Sequence, residues 1–169
     1  MEVIYDEQGN VKEGTVIKYY SDGKIMSETP YKNGMINGNL IEYFYNGNVS
    51  SVTPYIDDVI DGVVKVYYQS GMLMEATPYK NGKVSGTQYR YFETGLVAEE
   101  AEYVRDVLNG HVIKYNSDGS IRLKQEYKKG FPVEVIEEIK EEVKEDKKEE
   151  KSSMLTKEEL DRLLSDQTK

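Results

Sequence analysis

Hydrophobic and polar positions along most of this chain follow one pattern that returns every 24 residues. In residues 14–37, an alternating stretch rich in aromatic and β-branched side chains, TVIKYY, leads into the turn sequence SDGK. A second stretch, IMSETPY, leads into the turn sequence KNG. The arrangement recurs without a gap in four further segments, 38–61, 62–85, 86–109 and 110–133. A fixed period of this length is the signature of a repeat architecture.

Four columns of identical residues define the five units. One glycine opens each unit: Gly14, Gly38, Gly62, Gly86 and Gly110. A second glycine follows nine residues later: Gly23, Gly47, Gly71, Gly95 and Gly119. The two tyrosine columns are Tyr19, Tyr43, Tyr67, Tyr91 and Tyr115, and Tyr31, Tyr55, Tyr79, Tyr103 and Tyr127. Because glycine adopts positive φ without steric cost, the second glycine column indicates a turn in every unit.

Each unit is therefore predicted to contain two strands. The turn sequences leave about six to eight residues for each strand, which is the usual length. The connections are too short for crossover helices, so consecutive strands should be antiparallel. We predict an all-β fold, an antiparallel β-hairpin meander that forms a single-layer repeat solenoid over residues 14–133. Residues 1–13 form a shortened unit, which we expect to be a truncated N-terminal capping hairpin.

Proline recurs one residue before the second tyrosine column in the first three units, at Pro30, Pro54 and Pro78. Proline cannot donate a hydrogen bond to a sheet and is mostly excluded from central strands. We therefore expect the second strand of each of these units to bend or bulge at the proline.

The first strand of each unit is aromatic on both faces of the predicted sheet. Alternation places Ile17 and Tyr19 on one face and Tyr20 on the other. The column that begins at Tyr20 continues with Phe44, Tyr68 and Phe92. Packing between neighbouring strands accounts for most of these rings, since a sheet one layer thick needs large side chains to shelter its backbone. An exposed aromatic face would also be suited to bind a protein.

The pattern changes after Pro132. Residues 134–151 contain no glycine, tyrosine or proline, and closely spaced glutamate and lysine residues predict a charged helix that acts as a tether. In residues 152–169, Thr156 and Glu159 form a capping box for a short amphipathic helix. Its apolar side consists of Leu155, Leu160, Leu163 and Leu164. The complete predicted fold class is thus an all-β solenoid with a C-terminal α-helical tail.

Composition and charge limit the possible partners. The chain has 31 acidic and 22 basic residues and a formal charge of −9, whereas a nucleic-acid partner would require a basic surface. The absence of cysteine excludes thiolate catalysis and cysteine-ligated metals. The start has no basic and apolar regions of a signal peptide, and no apolar run is long enough for a membrane span. We therefore expect a cytoplasmic protein without a nucleic-acid partner.

Residues suited to catalysis or metal binding are few. His111 is the only histidine and lies at a position that varies between units, so we interpret it as structural. Asp57, Asp58 and Asp61 lack the alternating spacing of a calcium-binding loop and are interpreted as turn residues. We predict no catalytic residue, no metal, no cofactor and no enzymatic activity.

With its columns aligned, the array resembles the MORN-repeat superfamily, and in particular its bacterial variant. The segments YYSDGKIMSETPYKNGMING (19–38) and YYQSGMLMEATPYKNGKVSG (67–86) carry the resemblance, which extends over residues 1–132. Units two and four depart from the family pattern at the second turn, where Asp58 and Asp106 replace glycine. The resemblance implies a β-hairpin solenoid without enzymatic activity that serves as a scaffold or partner-binding surface. One bacterial branch is labelled YwqK-type antitoxin, an immunity partner of a toxin.

Two functions are therefore considered. The first is a non-enzymatic scaffold or adaptor that presents its aromatic sheet and a C-terminal docking helix to protein partners. The alternative is a YwqK-type antitoxin that binds and neutralises a toxin. MORN proteins are also linked to membrane phospholipid, but the acidic balance disfavours that contact. The candidate protein-binding residues are Tyr20, Phe44, Tyr68, Phe92, Leu155, Leu160, Leu163 and Leu164. The partner, the oligomeric state and whether the C-terminal helix docks in cis or in trans stay open.

Overall fold

A computed structural model describes residues 3–133 of the chain. Fifteen antiparallel strands form one sheet in this part, which contains no helix. The predicted all-β meander is correct for these residues, because the period-two alternation and the recurring positive-φ turns leave no segment with a helical pattern. The predicted fold class with a C-terminal α-helical tail is corrected to an all-β fold. The helices predicted over residues 134–151 and 152–169 lie outside the described residues.

Units one, two, three and five contain three strands rather than the two that the sequence predicts, and in unit four the third segment is the beginning of β13 (Val107–Tyr115). The first strands are β2 (Val11–Tyr19), β5 (Gly38–Tyr43), β8 (Gly62–Tyr67), β11 (Gly86–Tyr91) and β13 (Val107–Tyr115). The second strands are β3 (Ile25–Lys32), β6 (Val49–Ile56), β9 (Leu73–Lys80), β12 (Val97–Val104) and β14 (Ile121–Lys128). Two-residue strands complete the sheet, namely β1 (Ile4–Tyr5), β4 (Met35–Ile36), β7 (Val59–Ile60), β10 (Lys83–Val84) and β15 (Phe131–Pro132).

The long strands follow one another across the sheet in chain order. The short strands β4, β7, β10 and β15 fold back onto the second strand of their own unit, whereas β1 pairs with β2. In the first unit Tyr31 lies opposite Ile36 of β4, while Ser27 lies opposite Glu42 of β5. One edge of a second strand is thus shared by the short strand and by the first strand of the next unit. Between units four and five, the short strand and the first strand of the next unit are continuous and form the single strand β13.

The first turn of each unit is a tight hairpin closed by glycine. In unit one the amide of Tyr20 donates to the carbonyl of Lys24 at 2.8 Å, and the amide of Gly23 donates to the carbonyl of Tyr20 at 3.0 Å. Gly23 has a φ of 89°, as a type I turn followed by a left-handed residue requires. Just past the turn, Tyr19 lies opposite Ile25 and Lys18 lies opposite Ser27, so the intervening Met26 is an unpaired bulge residue.

The second turn of each unit is a two-residue hairpin loop with positive φ at both central residues. In unit one these are Asn33 at 52° and Gly34 at 81°, which is the type I′ geometry that favours Asn-Gly. In unit two the same geometry holds at Asp57 and Asp58, as the tolerance of aspartate for this region predicts. The Asp58 carboxylate also accepts a 2.6 Å hydrogen bond from the amide of Ile36 in the preceding unit.

The second strands run unbroken through their prolines, contrary to the expected bend or bulge in that strand. The carbonyl of Pro30 accepts a hydrogen bond from the amide of Asn37, at 3.1 Å. Tyr31 lies opposite Ile36 and Glu28 lies opposite Ile41, so the four residues 37–40 face only residues 29 and 30, and the irregularity lies opposite the proline. Proline has no amide hydrogen to donate, and none is required at this position because the facing chain leaves the regular register.

The sheet has two faces, each named here after one tyrosine of unit one. The Tyr20 face carries Tyr20 with Lys18 and Ser27, and the Tyr19 face carries Tyr19 with Glu28, as the register and strand alternation require. Few residues are fully sheltered, since no second layer covers either face. The buried side chains among the described residues are Ser27, Ala76, Thr77, Tyr91, Ala101 and Val112. No helix in the described residues is long and apolar enough to cross a membrane.

Candidate protein-binding face

The four aromatic residues predicted for binding lie in one row along the Tyr20 face, where each first strand enters its turn. All four side chains are half-buried: Tyr20, Phe44, Tyr68 and Phe92. The row is therefore both part of the packing and partly accessible.

Hydrogen bonds to the neighbouring unit hold the two tyrosines of this row. The Tyr20 hydroxyl donates to the backbone carbonyl of Tyr43 at 2.6 Å. The Tyr68 hydroxyl donates to the carbonyl of Tyr91 at 2.7 Å. Each bond links an odd-numbered unit to the next even-numbered one, where the row carries phenylalanine and has no hydroxyl. The tyrosine rings are thus fixed in place before any ligand arrives.

A hollow of about 440 Å³ opens on the Tyr20 face between units three and four. Its apolar walls are Tyr68, Met74, Phe92 and Ala98, and Tyr91, Glu75 and Arg90 complete its lining. Met74 and Ala98 occupy the bulge position of their second strands, like Met26 in unit one. The small side chain of Ala98 leaves space beside the ring of Phe92. Two of the predicted aromatic residues therefore meet in one concave site.

Next to this hollow, acidic and basic side chains alternate across four strands and form ion pairs with one another. The Arg90 Nε lies 3.0 Å from the Glu75 carboxylate, and Nη1 lies 3.8 Å from Glu99. Lys114 lies 2.9 Å from Glu99. Burial alone raises the pKa of Glu75, but hydrogen bonds from Thr77, Arg90 and Gln88 outweigh it and hold this pKa below its usual value. Glu75 is thus committed to contacts within the protein.

The Tyr19 face carries the other tyrosine column of the first strands, whose burial ranges from the exposed Tyr19 to the buried Tyr91. The Tyr115 hydroxyl donates to Glu100 at 2.9 Å, and the Tyr43 hydroxyl donates to Glu28 at 2.9 Å. Burial, followed by the Glu100 contact, raises the pKa of Tyr115. Burial raises the pKa of Tyr91 to about 12, with smaller contributions from charges nearby. These rings support the sheet, as the sequence interpretation proposed for most tyrosines.

The residues weighed for chemistry are dispersed in the described structure. The backbone amide of His111 donates to the Glu102 carboxylate at 2.9 Å, and the imidazole Nδ1 of His111 lies 3.8 Å from the same carboxylate. Asp61 accepts hydrogen bonds from the amide of Asn81 and from Lys80, so it fastens a turn of the next unit. Within residues 3–133, no group of three histidine, cysteine, aspartate or glutamate side chains is placed to hold a metal ion.

The structure thus brings Tyr68 and Phe92 together and places Tyr20 and Phe44 in the same row of the first two units. The leucines predicted for docking lie outside the described residues: Leu155, Leu160, Leu163 and Leu164. Sequence reasoning missed Met74 and Ala98, because their place in the hollow depends on a bulge in the second strand. The alternation of tyrosine and phenylalanine along the row was the available signal that units are paired.

Residues 12–33 and 60–81 each match the family model described as MORN repeat variant. The two matches lie 48 residues apart and cover most of units one and three, in which the row carries tyrosine. No curated protein matches the chain at a significant level. Repeats of this family generally mediate binding to proteins or membranes and are typically non-enzymatic.

Proposed function

We propose that this chain, a member of the MORN-repeat family, is a non-enzymatic scaffold or adaptor that binds a protein partner on its Tyr20 face. The observation that carries the proposal is the hollow between Tyr68 and Phe92, where two aromatic rings and a thioether surround an accessible space. Aromatic residues in such pockets supply most of the binding energy in protein interfaces.

The fixed geometry of the row supports this function. The hydroxyl bonds of Tyr20 and Tyr68 restrict the rings in the free protein. A partner would then bind without the entropic cost of ordering these side chains, which is about 0.5–1.5 kcal/mol for each immobilised one. The Arg90 side chain is 54% exposed at the hollow and adds a second residue type that is frequent in binding hot spots.

Capture of partners from the native cell lysate by the tagged full-length chain tests the proposal. We expect Phe92→Ala to reduce recovery of a specific partner at least tenfold, which corresponds to about 1.4 kcal/mol. Tyr19→Ala is the matched control, since Tyr19 lies on the other face and is 57% exposed. Thermal unfolding must show that both variants stay folded. Loss of the partner with Tyr19→Ala and retention with Phe92→Ala would overturn the assignment of the face.

The alternative function, a YwqK-type antitoxin, would use the same face and differ in its partner. A toxic protein bound in a 1:1 complex, with its activity suppressed by the wild-type chain and not by Phe92→Ala, would favour this alternative. Several unrelated partners recovered through the same hollow would favour the scaffold.

A further inference from the structure

Two side-chain contacts between neighbouring units recur every 48 residues, whereas the backbone hydrogen bonds at the second turns recur every 24. The hydroxyl bond to the next unit occurs at Tyr20 and again at Tyr68. The bond from a backbone amide to a turn carboxylate occurs at Asp58 and again at Asp106. The array therefore contains two structural doublets, which we define as residues 14–61 and 62–109.

The positions that line the hollow of the second doublet have equivalents in the first. The residues that lie 48 positions before its lining are Tyr20, Met26, Ser27, Glu42, Tyr43, Phe44 and Ser50. The aromatic pair and one methionine are kept, whereas the charges differ. Glu42 takes the place of Arg90, and Ser27 takes the place of Glu75. The two places therefore share their apolar character but differ in the charge that they present.

Glu42 offers an uncompensated negative charge on the Tyr20 face. It is exposed, and the Ser51 hydroxyl donates to its carboxylate at 2.7 Å. Within the described part of the chain Glu42 forms no ion pair, whereas Arg90 has Glu75 and Glu99 as neighbours. A lysine or arginine from outside would gain an ion pair at Glu42 and could lie against a neighbouring aromatic ring.

A contact of that kind already exists within the chain beside this position. The Lys24 ammonium lies 4.1 Å from the centre of the Tyr45 ring. The Tyr45 ring in turn meets Tyr20 edge to face, with 5.4 Å between the ring centres. The Tyr45 ring thus accepts a cation in the folded protein, which shows that an ammonium group is compatible with the aromatic surface at this end of the row.

Strand geometry sets the distance between the two places. Glu42 lies on β5, and the hollow extends from Tyr68 just after β8 to Phe92 just after β11. The middle strand of the hollow, β9, is three steps from β5 in the sheet. Three steps at about 4.8 Å give roughly 14 Å. An extended peptide that rises about 3.3 Å per residue covers this distance with about four residues.

We infer that the Tyr20 face binds an extended segment of a protein partner that carries a lysine or arginine and, about four residues away, a large apolar side chain. The basic side chain pairs with Glu42, and the apolar one fills the hollow between Tyr68 and Phe92. This inference rests on the proposed function and specifies the partner's chemistry.

Selection of a displayed library of random 12-residue peptides on the full-length chain tests the inference. We expect enriched peptides to contain a basic and an apolar residue at a preferred separation of about four positions. With Glu42→Arg as the target, the basic residue should be replaced by an acidic one. Glu126→Arg is the matched control, because it makes the same change of charge on the Tyr19 face. Glu126 lies there opposite His111. This variant should leave the selected motif unchanged.

Affinities of the most enriched peptide complete the test. Glu42→Gln should weaken the binding of the lysine-containing peptide about threefold and leave that of its Lys→Gln derivative unchanged, as expected for one exposed ion pair. Equal losses for both peptides, an unchanged motif with Glu42→Arg, or no enriched peptide would overturn the inference. If Phe92→Ala still abolished capture of the native partner, the proposed function would stand without it.

Discussion

In units two, three and four, the opening glycine lies against the proline of the unit before it. At Gly62 the φ is +123°, and a Cβ built there would lie 2.9 Å from the Pro54 Cγ. The positive φ and the lack of space for a Cβ each require glycine, and the two requirements are independent. They explain why glycine is kept at the start of these three units, while the second-turn glycine is replaced in units two and four.

Gly62→Ala should therefore destabilise the sheet by about 2–3 kcal/mol, as expected where backbone strain and a close contact combine. Gly23→Ala provides the matched control. Its φ is +89°, but a Cβ there would meet nothing within 4 Å, so only the conformational cost of about 1 kcal/mol is expected. Urea unfolding of both variants measures the difference. Equal losses at the two positions would contradict the role of the proline contact.

The buried Tyr91 makes the stability of the fold depend on pH in the alkaline range. Its side chain is 5% exposed, and burial raises its pKa from 10.0 to about 12. Because the pKa of Tyr91 is higher in the folded state, the contribution of its protonated hydroxyl to the free energy of unfolding is complete below pH 10. It is lost as the pH rises from 10 through 12, when the unfolded state releases its proton first.

Between pH 9 and pH 12 we therefore expect the free energy of unfolding to decrease, with a contribution from Tyr91 on the order of 2 kcal/mol. Tyr91→Phe removes the titrating group while keeping most of the ring packing. Urea unfolding across this range should give a shallower decrease for the variant than for the wild type. Parallel curves would show that Tyr91 titrates alike in the folded and unfolded states.

At the scale of the element, the second turn shows how one backbone geometry is kept with different sequences. Asn33-Gly34 suits a type I′ turn directly, whereas unit four uses Arg105 at 49° and Asp106 at 70°. The Asp106 carboxylate accepts a 2.8 Å hydrogen bond from the amide of Val84, which offsets part of its conformational cost. Arg105 has no comparable advantage, since arginine is poorly suited to positive φ.

Arg105→Asn should therefore stabilise the protein by about 0.5–1 kcal/mol, because asparagine tolerates the left-handed region better than arginine. Thermal unfolding should show a corresponding rise in the midpoint. Arg122→Asn makes the same substitution in β14, at a residue without positive φ, and should give no gain because asparagine is disfavoured in strands. A gain from both variants would point to the removal of charge rather than to the turn.

The element scale also shows how far sequence reasoning reaches. The long strands and both turns follow from alternation and the glycine columns. The short strand β4 was missed, since two residues carry no recognisable period. The row of Tyr20 and Phe44 was predicted, but the hollow depends on the unpaired bulge residues Met74 and Ala98. A bulge arises from the register between two strands, and one strand's sequence does not define it.

At the scale of the whole sheet, the burial of side chains differs between the middle and the ends of the array. The most buried apolar residues lie toward the middle and C-terminal half, with Ala76 and Ala101 each 2% exposed. Near the ends, Tyr19 is 57% and Ile121 is 50% exposed, because each lies on a strand with fewer neighbours to cover it. In an array stabilised by contacts between adjacent units, such ends open more readily than the centre.

Hydrogen exchange of the full-length chain should therefore show a gradient of protection. We expect backbone amides in β9, β11 and β12 to exchange at least tenfold more slowly than those in β1 and β14, through opening of the terminal strands. Phe92→Ala should lower protection in β11 and β12 first, since the ring packs within the hollow formed by units three and four. Uniform protection over residues 3–133, lost together in the variant, would instead show that the five units unfold as one cooperative body.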